Sequence, residues 1–372
     1  MPAADGAAPR ATWLRAASAV YLTIRVSALG FTLLLPLVGA ASMAANPGLA
    51  RMGRLMLVAV SFHVFAYVLN DVVDLWLDRS EPLRADSPLV QGAVGRGGLI
   101  MLACAQLPIA FGLAWALGAH RAALAMLGLA FAAMAVYDVY GKRCRWPLLT
   151  DAVQSIGWCA LVNVGAWWDG PVWATRTGWI AAYVFFCVML VQGVHGGLRD
   201  LTNDQRGGAR TTAIWLGARP GPATGLVLSR AMVGYAVVLQ VALWVTGLAA
   251  LPEASAFPRV VEPGLAGPEV TAWNSAAMAA CVNTLLAAAT VALVLAYRRR
   301  AARQRLIAAG AWNIVATLFV LPALVWSALN AAEAAVLLGA LALPIAAMLV
   351  YNGSHWRLAP QPQPTVRARG SR

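Results

Sequence analysis

Ten stretches of this chain, near 18–43, 53–72, 97–118, 121–139, 148–168, 178–197, 226–250, 275–297, 305–328 and 331–351, are apolar over the length of a membrane-crossing helix. An α-helix rises about 1.5 Å per residue, so about 20 apolar residues cover the hydrocarbon core of a bilayer. Inside lipid every backbone N–H and C=O must be satisfied within the protein, and runs of this length satisfy them as helices. The chain is 60% hydrophobic and only 12% charged, whereas soluble domains carry about 25% charged residues. These features specify an all-α, polytopic membrane protein. Pro36, Pro108, Pro322 and Pro344 fall inside spans, where neighbouring helices can satisfy the freed carbonyls.

The formal charge of +13 does not point to nucleic acid, because the basic residues lie between apolar runs and form no basic domain. With the N-terminus on the cytoplasmic side, all but five of the 28 Lys and Arg residues (Arg51, Arg54, Arg121, Arg176 and Arg259) fall on that side. Such a bias orients the protein in the membrane. The expected organisation is a cytoplasmic segment over 1–17, one transmembrane domain over 18–351 and a disordered cytoplasmic tail over 352–372. No signal-peptide pattern precedes the first span. Leu251–Asn274, with four prolines, reads as an external loop. The five cysteines form no CxxC pair and the four histidines no HExxH, so neither a disulfide framework nor a zinc site is expected.

Two acidic stretches break this apolar pattern. The run Leu55–Leu69 leads into Asn70-Asp71-Val72-Val73-Asp74-Leu75-Trp76-Leu77-Asp78. On a continuous helix Asp71, Asp74 and Asp78 stand at i, i+3 and i+7 on one face, where like charges repel. Something positive must sit among them, and removing one carboxylate is expected to relieve repulsion. The run Trp179–Val194 ends in Gly196-Gly197-Leu198-Arg199-Asp200-Leu201-Thr202-Asn203-Asp204, with Asp200 and Asp204 at i and i+4. Both clusters fall at cytoplasmic helix ends. Facing each other, they suit Mg²⁺ ions around a diphosphate, since this hard cation shares its shell between a few carboxylates, waters and phosphate oxygens.

The first stretch matches NDxxDxxxD, and the second matches DxxxD and continues as Gln205-Arg206-Gly207-Gly208-Ala209-Arg210-Thr211-Thr212. Together with Tyr137-Asp138-Val139-Tyr140-Gly141-Lys142-Arg143, they resemble the signatures of the UbiA superfamily of intramembrane prenyltransferases over roughly residues 18–300. The tyrosine–lysine segment is one residue longer than the common YxxxK, and Arg25 stands in the place of the family's early Arg-Pro, with Val26 for the proline. A basic residue common in the loop after the first motif is replaced by Ser87, leaving Arg84 as the nearby substitute. The resemblance implies a ring of nine helices around a central cavity under a cytoplasmic cap, whereas the count of spans here gives ten. It further implies that Asn70, Asp71, Asp74, Asp78, Asp200 and Asp204 bind Mg²⁺. Asp71, Asp74, Asp200, Asp204, Tyr137 and Lys142 are then the catalytic candidates, and Arg25, Asn70, Arg84, Lys142, Arg143 and Arg210 the substrate-binding ones.

The chemistry so implied is ionisation of an allylic prenyl diphosphate and transfer of the prenyl group to an aromatic or other lipophilic acceptor. Metal and basic side chains stabilise the departing diphosphate, and an apolar cavity keeps water from the carbocation. Trp76, Tyr67, Tyr137 and Trp158 are candidates to face that cation, although each also suits packing or an interfacial belt. His63 and His195 lead into the two motifs and suit either a base or a structural hydrogen bond. Asp151 and Asn163 suit either acceptor contact or helix–helix bonding. A terpene cyclase needs the same motifs. A cation-coupled transporter also carries intramembrane acids, but usually on broken helices near the midplane.

Overall fold

The computed structural model describes residues 19–43, 46–81, 84–85, 87–221, 225–251, 268–296 and 300–358. The segment expected over 1–17, most of the 251–274 loop and the tail from 359 lie outside these residues, as does Asp86. Each of the ten apolar stretches contains most or all of the apolar part of one long helix. They are α1 (Val26–Met43), α2 (Leu49–Asp78), α3 (Arg96–Ala116), α4 (Arg121–Tyr140), α5 (Pro147–Ala166) and α6 (Thr175–Leu190), and then, beyond the short α7 (Leu201–Gly207), α8 (Arg230–Ala249), α9 (Pro268–Ala296), α10 (Arg303–Val325) and α11 (Ala331–Leu358). The last helix continues past residue 351, where the sequence places the start of the tail.

Among the described residues eight helices are long and apolar enough to cross a membrane by length and composition. Helix α5 lies outside that group and carries Thr150, Asp151, Gln154, Ser155 and Asn163, all turned at least partly inward. The apolar described part of α11 is shorter, Ala331–Ala346. Large apolar side chains such as Met101, Trp115, Val238, Val294 and Leu343 face outward, while Thr32, His63, Gln154, Gln240 and Asn313 are buried. A soluble protein would reverse that arrangement. This is a multi-pass membrane protein.

Successive helices pack side by side from α2 to α6 and on through α8, α9 and α10, while α1 lies against α2, α5, α6, α10 and α11 and closes the ring. Between α1 and α5 the backbones touch. A Cβ on Gly39 would collide with the Val162 carbonyl, and one on Gly165 with that of Pro36. With no hydrophobic force between helices in lipid, such small-residue contacts carry the association. On the face bearing the acidic motifs, three short antiparallel strands pair as β1 (Arg219–Pro220), β2 (Gly225–Val227) and β3 (Arg300–Ala302), with Leu226 opposite Ala301. At the opposite end, Asn330 and Glu333 cap each other at the start of α11, and Glu333 also accepts from Gly48 N–H at 2.6 Å.

The α1–α5 contact yields a direct test. Gly39→Leu or Gly165→Leu must force the helices apart, at a cost of about 1–3 kcal/mol or more. Each should lower the thermal midpoint in detergent by several degrees. Gly112→Leu, where the added side chain meets open space, should leave it unchanged.

Candidate active site

Helix α2 runs unbroken through its last residue, Asp78, so Asp71, Asp74 and Asp78 do share one face. What neutralises them in the protein is basic side chains. Asp71 forms an ion pair with Arg25 and has Arg84 Nη2 at 3.7 Å, and Asp78 has Arg84 Nε at 3.7 Å. The expectation that deleting one carboxylate relieves repulsion fails at Asp71. It is 5% exposed, and its loss would leave the Arg25 guanidinium without its ion-pair partner and Arg84 with Asp78 alone of its two carboxylates.

Arg25 reaches this cluster because the chain breaks just before α1. Its φ is +48°, a left-handed conformation that costs a non-glycine residue free energy. His63 holds the break, with Nε2 2.7 Å from the Ile24 carbonyl oxygen and Nδ1 2.8 Å from Thr32 Oγ1. Of the two roles open to His63, the structural one is therefore filled. Arg25 Nη2 also donates to Asn70 Oδ1 at 3.1 Å, and the guanidinium lies over the Tyr67 ring.

The second motif follows a change of helical pitch. Helix α6 passes into a π-helical turn, Val191–Gly196, and one α-turn, Gly197–Arg199, before Asp200 opens α7. Single π turns often mark functional sites, because one extra residue re-aims the chain beyond them. Gly208 ends α7 with φ +74°, the left-handed stop that glycine favours. Asn203 clasps the two motifs together: its Nδ2 donates to the Leu77 carbonyl at 3.0 Å and its Oδ1 accepts from Ser80 Oγ at 2.8 Å. Lys142 completes the junction, with Nζ 3.0 Å from Asp74 Oδ2 and 3.5 Å from Asp204 Oδ1.

Around this junction lies a cavity of about 630 Å³. Arg25, Asn70, Asp74, Asp78, Arg84, Tyr137, Lys142, Asp200, Asp204 and Arg210 all line it. Two site candidates do not. Asp71 sits behind the wall in its ion pairs, and Arg143 stands outside, 6.0 Å from the ring of the partly exposed Trp76. Of the aromatic candidates Tyr67, Tyr137 and Trp158 face the cavity. His195 is at its wall, but its Nε2 is 2.8 Å from Asn313 Oδ1, and Asn313 donates on to Gln240 and Ala289. Asn163 donates to the Cys159 carbonyl within its own helix.

The cavity also contains residues that motif reading left aside. Asp138 is buried, accepts from Asn70 Nδ2 at 3.2 Å and keeps Oδ2 without a partner. Its position beside Tyr137 in the tyrosine–lysine segment, among the acids that fall on the Arg-rich side, was its signal in the sequence. Gln154 and Gln192 line the wall as well, and Arg199 forms a two-pronged pair with Asp200 at 2.7 Å for each bond.

Burial works to lower the Lys142 ammonium, and Asp74 and Asp204 more than offset it, holding Lys142 above its ordinary value and charged. Burial also works to raise Asp200, but Arg199 outweighs it and keeps that carboxyl below the usual range. Asp204 is pushed up to about 6 by burial, with Lys142 opposing and Asp200 and Asp74 adding to the rise. Asp204 Oδ1 has only Lys142, at the outer limit of a hydrogen bond. Among the described residues two buried carboxylate oxygens of the cavity lining, Asp138 Oδ2 and Asp204 Oδ1, thus lack hydrogen bonds. That all-oxygen donor set fits a hard divalent cation. Among the described residues no three His, Cys, Asp or Glu converge into a ready-made cage, so the donors suit an ion that draws part of its shell from a ligand.

The sequence profile of the UbiA prenyltransferase family matches residues 28–261. The chain belongs to the UbiA prenyltransferase family. It is thus a membrane prenyltransferase by family, an enzyme class that transfers prenyl groups. Solved structures share the fold. An apo UbiA homologue from Aeropyrum pernix K1 is 20% identical, with a TM-score of 0.56 over 81% of this chain and 98% of that one. A digeranylgeranylglyceryl phosphate synthase is 12% identical, with a TM-score of 0.53 over 85% and 99%. A UbiA homologue from Archaeoglobus fulgidus bound to DMAPP and Mg²⁺ is 15% identical, with a TM-score of 0.51 over 82% and 99%. A search of curated proteins returned no match.

If Lys142 joins both motifs into one unit, their losses must not multiply. Asp74→Ala and Asp204→Ala should each lower prenyl-diphosphate turnover by about 10²–10³-fold, as for loss of a transition-state contact. The double variant should be within a few-fold of either single one, since residues acting as a unit are not additive. Multiplicative losses in steady-state assays would mean two independent sites.

Proposed function

We propose that the protein is a Mg²⁺-dependent prenyltransferase that ionises an allylic prenyl diphosphate at the Asp74–Lys142–Asp204 junction and transfers the prenyl group to a lipophilic acceptor. The observation that carries this reading is the meeting of both acidic motifs on one lysine at the wall of a cavity with aromatic lining. The structural relative with DMAPP and Mg²⁺ supports the choice of donor. The bias of the basic residues supports a cavity mouth on the cytoplasmic side of the cell membrane, where a water-soluble diphosphate head would enter.

Asn70, Asp74, Asp78, Asp200 and Asp204 are the residues that would hold the metal, with Asp71 fixing Arg25 and Arg84 behind them. Mg²⁺ supplies Lewis-acid neutralisation of the diphosphate. Arg25, Arg84, Lys142 and Arg210 bind the diphosphate oxygens, so the three cations that balance the acids in the free protein, Arg25, Arg84 and Lys142, turn to the substrate when it arrives. The allylic C–O bond breaks with its electron pair leaving on diphosphate. Tyr67, Tyr137 and Trp158 then present π faces to the cation, and the surrounding helices exclude water. The acceptor attacks and gives up one proton. Tyr137 lies within electrostatic reach of Asp151, Asp74, Asp138 and Asp204 together.

A cyclase on this scaffold would use the same diphosphate machinery, and the polar wall of α5 favours an external acceptor over it. The test is product analysis in membranes containing the protein, Mg²⁺ and a panel of prenyl diphosphates, with and without a lipid-soluble extract. Prenylated product that requires the extract, and that disappears with EDTA, is the expected result. Turnover undiminished in chelator would remove the metal from the scheme, and cyclised product without extract would make the protein a cyclase.

A further inference from the structure

The direction in which Asp200 and Asp204 point is set one turn earlier, in the π-helical stretch Val191–Gly196. There the Gly197 N–H reaches back five residues to the Gln192 carbonyl. The α pattern resumes where Asp200 N–H bonds the Gly196 carbonyl at 3.0 Å, and Asp204 N–H follows on the Asp200 carbonyl at 2.9 Å. Relaxation of the π turn to an α turn would rotate the chain beyond it by about 100° and shift it by about 1.5 Å. Either change takes Asp204 away from Lys142. Such turns are rare and persist only where their surroundings hold them. Here glycines let the surroundings close in. A Cβ on Gly193 would stand 2.9 Å from Asp151 Oδ2, and one on Gly197 would stand 3.0 Å from the Ala213 methyl. On a third side α10 approaches through Gly310, where a Cβ would meet His195 Nδ1 at 2.8 Å.

Only this third side adds directional bonds to the close contact. Asn313 on α10 is fully buried, and its Nδ2 donates to the Ala289 carbonyl on α9 at 2.7 Å and to Gln240 Oε1 on α8 at 3.1 Å. A main-chain carbonyl can only accept, so the amide nitrogen must face Ala289 and Oδ1 must face the π turn. His195 Nε2, 2.8 Å from that oxygen, is therefore the donor. One amide thus ties α8, α9 and α10 to the fifth residue of the π turn, the kind of bond that joins helices within a bilayer. At the far end, among the described residues, Gln240 Nε2 is buried without a partner. An unsatisfied buried donor costs about 1–3 kcal/mol, and an apolar pair in place of Asn313 and Gln240 would avoid that cost. The chain of amides serves its orientation at a cost in stability.

We propose that His195, Asn313 and Gln240 are positioning residues for the second acidic motif: their hydrogen-bonded chain pins the π turn to α8, α9 and α10 and so holds Asp200 and Asp204 at the angle from which they serve metal and diphosphate. The inference rests on the metal-dependent reading above and adds residues that act only through those two carboxylates. It separates binding from turnover. Arg25, Arg84 and Lys142 come from other elements, so the diphosphate keeps its cationic partners when the second motif tilts. The transition state does not tolerate the tilt, because a misplacement of about 1 Å can cost about 10²-fold in rate.

The test uses the full-length protein in vesicles, with geranyl diphosphate, Mn²⁺ and a lipid-soluble extract for turnover. His195→Leu and Asn313→Leu should each lower kcat about 10²-fold, the scale of a misplaced catalytic group, with KM for geranyl diphosphate within about threefold of the parent. His195→Gln, whose amide nitrogen can donate from the place of Nε2, should recover to within about fivefold of the parent kcat. Electron paramagnetic resonance of Mn²⁺ with the non-ionising analogue geranyl thiodiphosphate gives a readout free of turnover. Both leucine variants should bind Mn²⁺ about tenfold more weakly with an altered line shape, and His195→Gln should restore the parent spectrum. Leucine variants that melt earlier but keep the parent kcat and spectrum would leave the chain a purely structural role and overturn the proposal. So would leucine variants that bind no analogue at all, which would assign these residues to the fold. His195→Gln as slow as His195→Leu, yet with the parent spectrum, would make the imidazole itself a participant and overturn positioning too. A parent that binds Mn²⁺ and the analogue but turns over no prenyl diphosphate would overturn the transferase reading, and the spectra would then decide the positioning by themselves.

Discussion

Carboxylates gathered at the end of an apolar helix are stable only if positive charge stands among them. Two like charges 4 Å apart repel by about 4 kcal/mol at the effective dielectric constant of a protein near its surface. In this protein Arg25, Arg84 and Lys142 meet that demand against Asp71, Asp74, Asp78 and Asp204. Much of the architecture around the cavity serves to bring those three cations there. The chain breaks before α1 to present Arg25, the loop after α2 returns Arg84, and the turn after α4 supplies Lys142 under both motifs.

Such an arrangement is charged yet unsaturated. The basic groups balance the acids, but among the described residues Asp138 Oδ2 and Asp204 Oδ1 lack hydrogen bonds, and no three acidic side chains close into a cage. A metal–diphosphate complex brings positive and negative charge together and can insert without changing the net balance. The surrounding structure resists collapse. His63 fixes the left-handed break at Arg25, Asn203 locks α7 onto the end of α2, and the glycine contact between α1 and α5 fixes the wall behind. Breaking a buried pair by removing one member costs about 3–5 kcal/mol, so the cluster contributes to folding as well as to chemistry.

The helices were legible in the sequence because apolar length is a local property, and each of the ten spans lies on a helix. The acidic motifs were legible too, since spacing on a continuous helix fixes which side chains share a face. Partnerships between distant segments were not. Nothing local in Arg25 indicates a positive φ or its pairing with Asp71, and nothing in Arg143 indicates that it leaves the cavity for Trp76. The π turn at Val191–Gly196 escapes a reading based on a 3.6-residue period, yet it aims the second motif. Asp138 matters through the partner it lacks, which only the packed structure reveals. His63 and His195 had two possible roles in sequence; both ring nitrogens of His63 enter structural hydrogen bonds, and His195 at the cavity wall places Nε2 on Asn313.

The central claim is that metal and diphosphate enter this cluster together, because among the described residues too few oxygens converge to hold the ion alone. Electron paramagnetic resonance of Mn²⁺ with the purified protein measures this directly, titrated alone and again with a saturating non-ionising prenyl thiodiphosphate. The account predicts weak binding of Mn²⁺ alone and an affinity at least about tenfold higher with the analogue, an increase that Asp204→Ala abolishes. Tight Mn²⁺ binding to the free protein, unchanged by the analogue, would contradict it.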